Sequence, residues 1–544
     1  MTLLPACLNY AWMLSCRGEL RAYHRATRDV ENAQWKLLRE ILQRNGATEY
    51  GRLHGFGSIR DAREFQDRVP TADYEQLQPW IQRIAAGERN VLTRDPVRLL
   101  EPTSGTSGGE KLIPYSAPLR RQFQRGVSAW IADLFTHRLA VRRGRAYWSL
   151  SPPLGPKRHS LGGIPIGFDD DSAYLSGVQR RLVERVLVTP PASSRMADLE
   201  GLRYDTLRCL LAAADLSLIS VWSPTFLTAL LAPLPEWADR ICFDLEHESR
   251  QGARRAAELR AIFHGASNLA EQLQQIWPHL ALISCWTDSA AERFVPSLAA
   301  LFPQIEIQPK GLLATEGFVS FPLVGRPGAA LALRSHFFEF EPASAESASP
   351  RLAHELEPGG HYRVLLTTGG GLYRYPLRDE IEVVGFHQQC PLLRFVGKVD
   401  QVSDLVGEKL SATHVNLALD QALHSCGLAP SFAMLAPIDG PPPRYRLYLE
   451  LATPLDDESL STLVADLQQR LETNPHYRYA VQWRQLSQVE ICLLAGRGGA
   501  AWEVYERQRL AQGQRMGNVK PTALDGWTGW DEAFRPSFDR TQTA

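Results

Sequence analysis

The sequence predicts an α/β fold, with a large N-terminal domain over residues 1–400 and a small α+β C-terminal domain over 401–544. Three observations predict it. Short apolar strand-like runs alternate with helical segments as far as Ile307, the signature of βαβ units on a parallel sheet. From about Leu331 the texture turns strand-rich, and after Asp400 strands and helices mix again at the length of an ordinary small domain.

Taken in order, Leu3 to Cys16 is apolar but lacks a basic leader region and an A-x-A cleavage site. It is too short to span a bilayer and reads as a packed or peripheral helix, with weak membrane attachment as the lesser alternative. Residues 31–45 place Trp35, Leu38, Ile41 and Leu42 on one helix face before Gly46 stops the helix. Val97 to Leu100 is β-like. Leu216 to Trp222 is an apolar strand run, and Ser223-Pro224 supplies an N-cap and first-turn proline for a helix ending near Leu231. Leu282 to Trp286 repeats the pattern, with Asp288 expected to cap a helix through Leu301 and Ile305 to Ile307 completing a βαβ unit. Phe337–Phe340, His361–Thr367 and Glu380–Gly385 read as strands, and Pro342 to Pro350 as an exposed loop. Residues 430–452 read as two strands about the Gly440–Pro443 turn, 456–472 as a helix, 488–494 as a strand and 501–511 as a helix.

Composition excludes several classes. The 544 residues are 44% hydrophobic and 22% charged with a net charge of −1, which leaves no global basic field for nucleic acid. Eight cysteines in no close pairs argue against zinc ligation and a disulfide framework, and read as reduced thiols of a cytoplasmic protein. No G-x-S-x-G elbow accompanies the serines, which removes the main hydrolase reading. His159, His336 and His387 have no i, i+4 pairing, so they read as neutral packing or surface groups, and the tryptophans as core.

The chemistry concentrates in Thr103-Ser104-Gly105-Thr106-Ser107-Gly108-Gly109-Glu110-Lys111. Glycines let backbone N–H groups converge on an anion, hydroxyls add donors, and the ammonium adds a mobile charge. A Walker loop needs glycine before the lysine and Ser or Thr after it, whereas Glu110 and Leu112 stand there. Only seven of the 59 basic residues are lysine, and Lys111, Lys310, Lys398, Lys409 and Lys520 fall in or beside the segments that matter. In Lys310–Gly317 a short strand breaks into a loop with Glu316 at its tip, either a magnesium ligand or a solvated carboxylate. Asp379, in Tyr373–Asp379, suits ribose hydroxyls or an ion pair with Arg374 or Arg378. Phe395–Asp400 with Gly407–Leu410 reads as a domain junction or as a turn with an exposed Lys–Asp pair.

By order and spacing these segments make the chain resemble the Gretchen Hagen 3 family of acyl acid amido synthetases, within the adenylate-forming superfamily. The likeness runs through Thr48-Glu49-Tyr50-Gly51, Phe65 to Val69-Pro70, Tyr74, Gly87-Glu88, the Thr103–Lys111 loop with Pro114-Tyr115 and Val221-Trp222-Ser223-Pro224. It continues through Ala314-Thr315-Glu316-Gly317, Tyr373-Arg374-Tyr375, Gly385-Phe386-His387 and the Lys398–Lys409 segment. The chain departs from plant members in Leu312 to Thr315, where an aromatic and serines are usual, and in Arg378, where glycine is common.

The resemblance implies an adenylation domain and a small mobile C-terminal domain that carries a catalytic lysine. It implies ATP and Mg2+ as cofactors, with Ser104, Gly105, Thr106, Ser107 and Lys111 at the phosphates and Thr315 at the nucleotide. Glu316 would ligate the metal, Asp379 bind the ribose, and Lys398 sit at the hinge. Lys520, in Gly517–Pro521, is the matching C-terminal lysine, with a plain tail residue as the other reading. The implied reaction adenylates a small carboxylic acid and passes the acyl group to an amine, an amino acid by analogy. A thioester-forming acyl-coenzyme A or carrier-protein ligase shares the first half-reaction, and a non-catalytic nucleotide or acid binder is the rival from another class. Neither nucleic acid nor integral membrane partners are expected, and the identities of acid and amine, like the oligomeric state, have no spacing code.

Overall fold

A computed structural model describes residues 3–104, 110–149, 158–167, 185–190, 199–343, 349–399, 402–496, 499–514 and 519–543. The chain forms two compact units, one from Met1–Gly144, Leu150–Leu187 and Pro309–Val396, the other from Arg145–Ser149, Val188–Gln308 and Gly397–Ala544.

The first unit is organised by a seven-stranded sheet in the order Arg351–Leu352, Phe337–Pro342, His361–Thr367, Tyr375–His387, Cys390–Lys398, Ala329–Leu331, Ser320–Phe321. The expected helix at 31–45 is Val30–Asn45; Asp29 caps it by accepting from the Asn32 N–H at 3.2 Å, and Leu38, Ile41 and Leu42 are buried. Gln34 ties this helix to the sheet: its amide donates to the carbonyls of Leu333 (2.7 Å) and His336 (2.9 Å) and accepts from Phe338 N–H (2.8 Å). Such a fully satisfied buried amide sets the register of helix against sheet.

Two of the resemblance segments prove to be scaffold. Thr48 caps a short helix, Glu49–Leu53, and Gly51 is required there because a Cβ would lie 2.1 Å from the Asn45 carbonyl oxygen. Tyr50, in the same turn, stacks on Tyr373 with ring centroids 5.1 Å apart and planes within 8°. The Tyr373 hydroxyl donates to the Leu92 carbonyl at 2.7 Å. Arg374 is 5% exposed and takes φ 47°. It pairs with Glu339, 1% exposed, at 3.1 Å and donates to the carbonyls of Gln66 and Val69 at 2.6 Å each.

In the second unit the strands Arg145–Trp148, Leu216–Ser220, Leu282–Cys285 and Glu306–Pro309 form a four-stranded sheet in that order, with the first three parallel. Leu216–Ser220 and Leu282–Cys285 are buried at every position, as continuous apolar runs in a covered parallel sheet should be. Ser223 caps Pro224–Leu231 as expected, accepting from Phe226 N–H at 3.2 Å. The helix expected from Asp288 through Leu301 is instead split into a 3-10 segment, Ser289–Phe294, and a helix, Val295–Leu301. Ser289 takes φ 55°, which breaks the helical start, and Pro296 stands in the first turn of the second piece, where a missing N–H costs nothing.

The C-terminal part of this unit carries a sheet in the order Pro430–Ile438, Arg444–Leu451, Glu490–Leu494, Phe538–Thr543, with helices Ala412–Ser425, Asp457–Leu471 and Ala500–Ala511. The last strand was not expected from its polar sequence. Gly407-Glu408 turns out to be an anchor: the fully buried Glu408 carboxylate accepts from Leu405 N–H (2.8 Å), Val406 N–H (2.8 Å) and the Tyr445 hydroxyl. Two ion pairs tie this part to residues 188–308: Arg293 to Asp420 at 2.7 Å, and Arg203 to the buried Glu506.

Candidate active site

The Lys310–Gly317 segment ends in a tight hairpin. Leu313 bridges Phe318, and Ala314 and Gly317 exchange N–H···O bonds of 3.0 and 3.2 Å, which leaves Thr315 and Glu316 as the two tip residues. Three contacts aim that tip. The Tyr115 hydroxyl donates to the Thr315 carbonyl. Ser320 Oγ accepts from Leu312 N–H at 2.9 Å. Phe318 N–H donates to Nε2 of the buried His336 at 3.0 Å. Gly317 is needed because a Cβ would come within 3.0 Å of the His336 ring.

Accepting at Nε2, His336 is a neutral imidazole with its proton on Nδ1. Burial, then Arg125, lowers its pKa from 6.5 to about 3. Its folded value lies below its unfolded one, so the stability it contributes is complete above pH 6.5 and is lost as pH falls toward about 3. The slope from this one group reaches at most about 1.4 kcal/mol per pH unit. His336→Gln keeps an acceptor for Phe318 and is expected to flatten unfolding free energy against pH in that window by close to one proton. Identical slopes in the two proteins would remove His336 as the titrating group.

Val97–Ser104 and Glu110–Ser116 pair antiparallel, with Thr103 opposite Lys111 and Ser104 opposite Glu110. Gly105, Thr106 and Ser107, and the side chain of Ser104, lie outside the described residues. The Lys111 ammonium is 5.5 Å from the Tyr74 ring centroid, and the Tyr74 hydroxyl accepts from Leu112 N–H at 2.8 Å. Tyr74 opens a helix, Tyr74–Ala85, whose capping box pairs Asp73 and Gln76. Tyr375 closes the constellation: burial, then Glu316, Glu75 and Tyr74, raise its hydroxyl far above the ordinary phenol range, so it stays protonated. Lys111, Thr315 and Glu316 are thus gathered around Tyr74, Tyr115 and Tyr375 in one unit.

Asp379 lies on Tyr375–His387 and is 3% exposed. Of the two arginines weighed as its partners, Arg374 pairs with Glu339, and Arg378 approaches Asp73 at 3.6 Å. Arg378 takes φ 58° where the register slips between Arg363 and Leu365 of the neighbouring strand. That left-handed bulge explains why glycine suits this place.

Lys398 ends the strand Cys390–Lys398 and is half-buried, next to Gly397, where the second unit resumes. Lys520 is exposed, and its ammonium sits 3.8 Å from the Trp286 ring centroid, while its carbonyl accepts from the Tyr505 hydroxyl at 2.9 Å. Trp286 packs on Trp222 at 5.3 Å. With Trp148, they stand half-buried at the carboxyl ends of three adjacent parallel strands, the edge where open α/β sheets bind ligands.

Among the described residues no group of three or more His, Cys, Asp and Glu side chains could hold a metal ion. A single half-buried carboxylate ligand such as Glu316 fits magnesium, which keeps waters and phosphate oxygens for most of its shell.

The GH3 family N-terminal domain matches residues 19–307, its central domain 329–398, and its C-terminal domain 413–524. The chain belongs to the GH3 family. A relative from Oryza sativa subsp. japonica, named probable indole-3-acetic acid-amido synthetase GH3.12, is 27% identical over 466 residues, covering 74% of each chain. Indole-3-acetic acid-amido synthetase GH3.3 of Arabidopsis thaliana is 25% identical over 499 residues, 84% of this chain and 83% of the relative. The fold matches the solved structure of AtGH3.15 acyl acid amido synthetase in complex with 2,4-DB, with a TM-score of 0.83 at 19% identity over 98% of this chain and 97% of that one.

Within this GH3 chain, sequence reasoning missed the Trp148, Trp222 and Trp286 edge and the His336 prop. The tryptophans were legible only as core, because three strands far apart in sequence bring their ends together. His336 carries no local signal, since its partner Phe318 lies 18 residues away.

Proposed function

We propose that the chain is an ATP-dependent acyl acid amido synthetase, which adenylates a carboxylic acid with release of pyrophosphate and then transfers the acyl group to the amine of an amino acid. Membership of the GH3 family carries this reading, together with the gathering of Lys111, Thr315 and Glu316 about three tyrosines.

Lys111 and the hydroxyls and N–H groups of Ser104, Gly105, Thr106 and Ser107 take the phosphates, offsetting charge on the departing pyrophosphate. Thr315 lies at the nucleotide, Glu316 holds Mg2+, and Asp379 accepts the ribose hydroxyls. A bound magnesium ion supplies neutralisation of the phosphate oxygens. In the first half-reaction a carboxylate oxygen bonds to the α-phosphorus as the bond to pyrophosphate breaks, so positioning matters more than a protein nucleophile. In the second, the amine nitrogen bonds to the acyl carbon, AMP leaves, and the nitrogen gives up its proton. Lys520 steadies the α-phosphoryl oxygens in the first step.

Residues 401–544 form the small mobile domain and 1–400 the adenylation domain, with a hinge at Lys398–Asp400. Rotation there requires the Arg293–Asp420 and Arg203–Glu506 pairs to open. Eight cysteines, none in a disulfide, suit a reducing cytoplasm, and no described helix is long and apolar enough to cross a membrane.

The test is ATP- and magnesium-dependent pyrophosphate release over a panel of acids led by indole-3-acetic acid and 2,4-DB, with hydroxylamine to trap the acyl-adenylate. An acid-dependent hydroxamate is expected, lowered about 10²–10³-fold in Lys111→Ala. Amino acids should then accept the acyl group where coenzyme A does not. A thioester in place of an amide overturns the second half-reaction, and ATP binding without pyrophosphate release across the panel overturns the whole reading.

A further inference from the structure

The helix Leu3–Ala26 is apolar on both sides for most of its length. Trp12, Met13, Cys16, Leu20 and Tyr23 are buried in the unit, which leaves Leu4, Cys7, Ala11, Leu14, Gly18, Arg21 and Arg25 as one exposed line at three- and four-residue spacing. The line changes character along its length, apolar or small through Gly18 and cationic afterwards. Leu4 is 65% exposed, Tyr10 46% and Leu14 44%, and Leu139 on the adjoining short helix Leu139–Arg142 is 51% exposed.

Charge on this face has one sign. Residues 1–28 hold four arginines, Arg17, Arg21, Arg25 and Arg28, all exposed, and a single acid, Glu19, which is turned to Arg334 at 2.5 Å. The adjoining stretch 134–144 adds Arg138, Arg142 and Arg143 with no acid, and the Arg142 guanidinium lies 5.1 Å from the centroid of the exposed Tyr10 ring. In a chain of net charge −1 this is a segregated basic patch, interleaved with large apolar groups.

We propose that this face docks on an anionic lipid bilayer, with the helix lying in the interfacial plane. Leu4, Tyr10, Leu14 and Leu139 enter the headgroup boundary, and the arginines meet lipid phosphates, whose paired oxygens match the planar guanidinium fork. Charge complementarity decides for this occupant: a second copy of the chain would bring like-charged arginines together, whereas a negative surface pairs with them all. The attachment is peripheral, because this helix does not have the length and apolarity to span.

The full chain is mixed with extruded vesicles of phosphatidylcholine, with or without phosphatidylglycerol, and sedimented at low and physiological salt. Binding to the anionic vesicles is expected to exceed binding to neutral ones about tenfold and to weaken with salt. The double variants Leu4→Ser/Leu14→Ser and Arg17→Glu/Arg21→Glu should each lose it while keeping wild-type thermal unfolding, since all four side chains are exposed. Absence of sedimentation, or equal binding to both vesicle types, overturns the proposal. A concentration-dependent dimer abolished by Leu4→Ser/Leu14→Ser, without vesicle binding, overturns it in favour of a second copy.

Discussion

Arg374→Met is expected to destabilise the protein by about 3–5 kcal/mol, the scale of stranding a buried charge. Methionine keeps the stem and the left-handed backbone of the arginine, so the change isolates the guanidinium. Arg374 faces Glu339 at 3.1 Å with both groups almost fully buried, and it satisfies the carbonyls of Gln66 and Val69. Removing it leaves the carboxylate with the Gln66 amide at 2.9 Å and strips two carbonyls of a donor. Burial already raises the Glu339 pKa against the pull of Arg374, so the variant should take up a proton at Glu339 as it folds. Denaturant unfolding of Arg374→Met, Glu339→Leu and the double variant measures the coupling. The double variant should cost clearly less than the sum of the singles, and a loss under about 1 kcal/mol in Arg374→Met would show that the pair is not a structural keystone.

Lys520→Ala is expected to lower acid-dependent pyrophosphate release about 10²–10³-fold, while amide formation from a supplied acyl-adenylate stays near the wild-type rate. The ammonium is seated 3.8 Å from the Trp286 ring, a cation–π contact of about 0.5–2 kcal/mol. Trp286→Leu should therefore weaken the same step more mildly, about 3–30-fold, by loosening where Lys520 sits. Equal losses in both half-reactions would sink the assignment of Lys520, and no response to Trp286→Leu would sink the seat.

Much of this was legible in the residues because the physics is local. Asp29, Ser223 and Asp456 cap the helices that follow them, as their short oxygen-bearing side chains favour. Fully apolar runs such as Leu282–Cys285 became buried parallel strands, and the glycine-spaced carboxylate Glu316 stands at a hairpin tip. Asp288 failed as a cap because the positive φ of Ser289 and the later Pro296 decide that stretch, a conflict between neighbours that a single-residue preference does not weigh.

By itself, then, the sequence determined which segments are helix, strand and turn, which lysines and carboxylates stand out, and which family the chain resembles, since each depends on spacing of a few residues. Only the tertiary structure decided that Tyr373-Arg374 and Thr48–Gly51 are scaffold rather than site, that His336 props the Glu316 hairpin, and that Lys520 rests on Trp286. It also showed that the N-terminal helix buries one apolar side and exposes the other. Those outcomes rest on contacts between residues tens to hundreds of positions apart, and a burial or a charge pairing of that kind exists only once the chain has closed on itself.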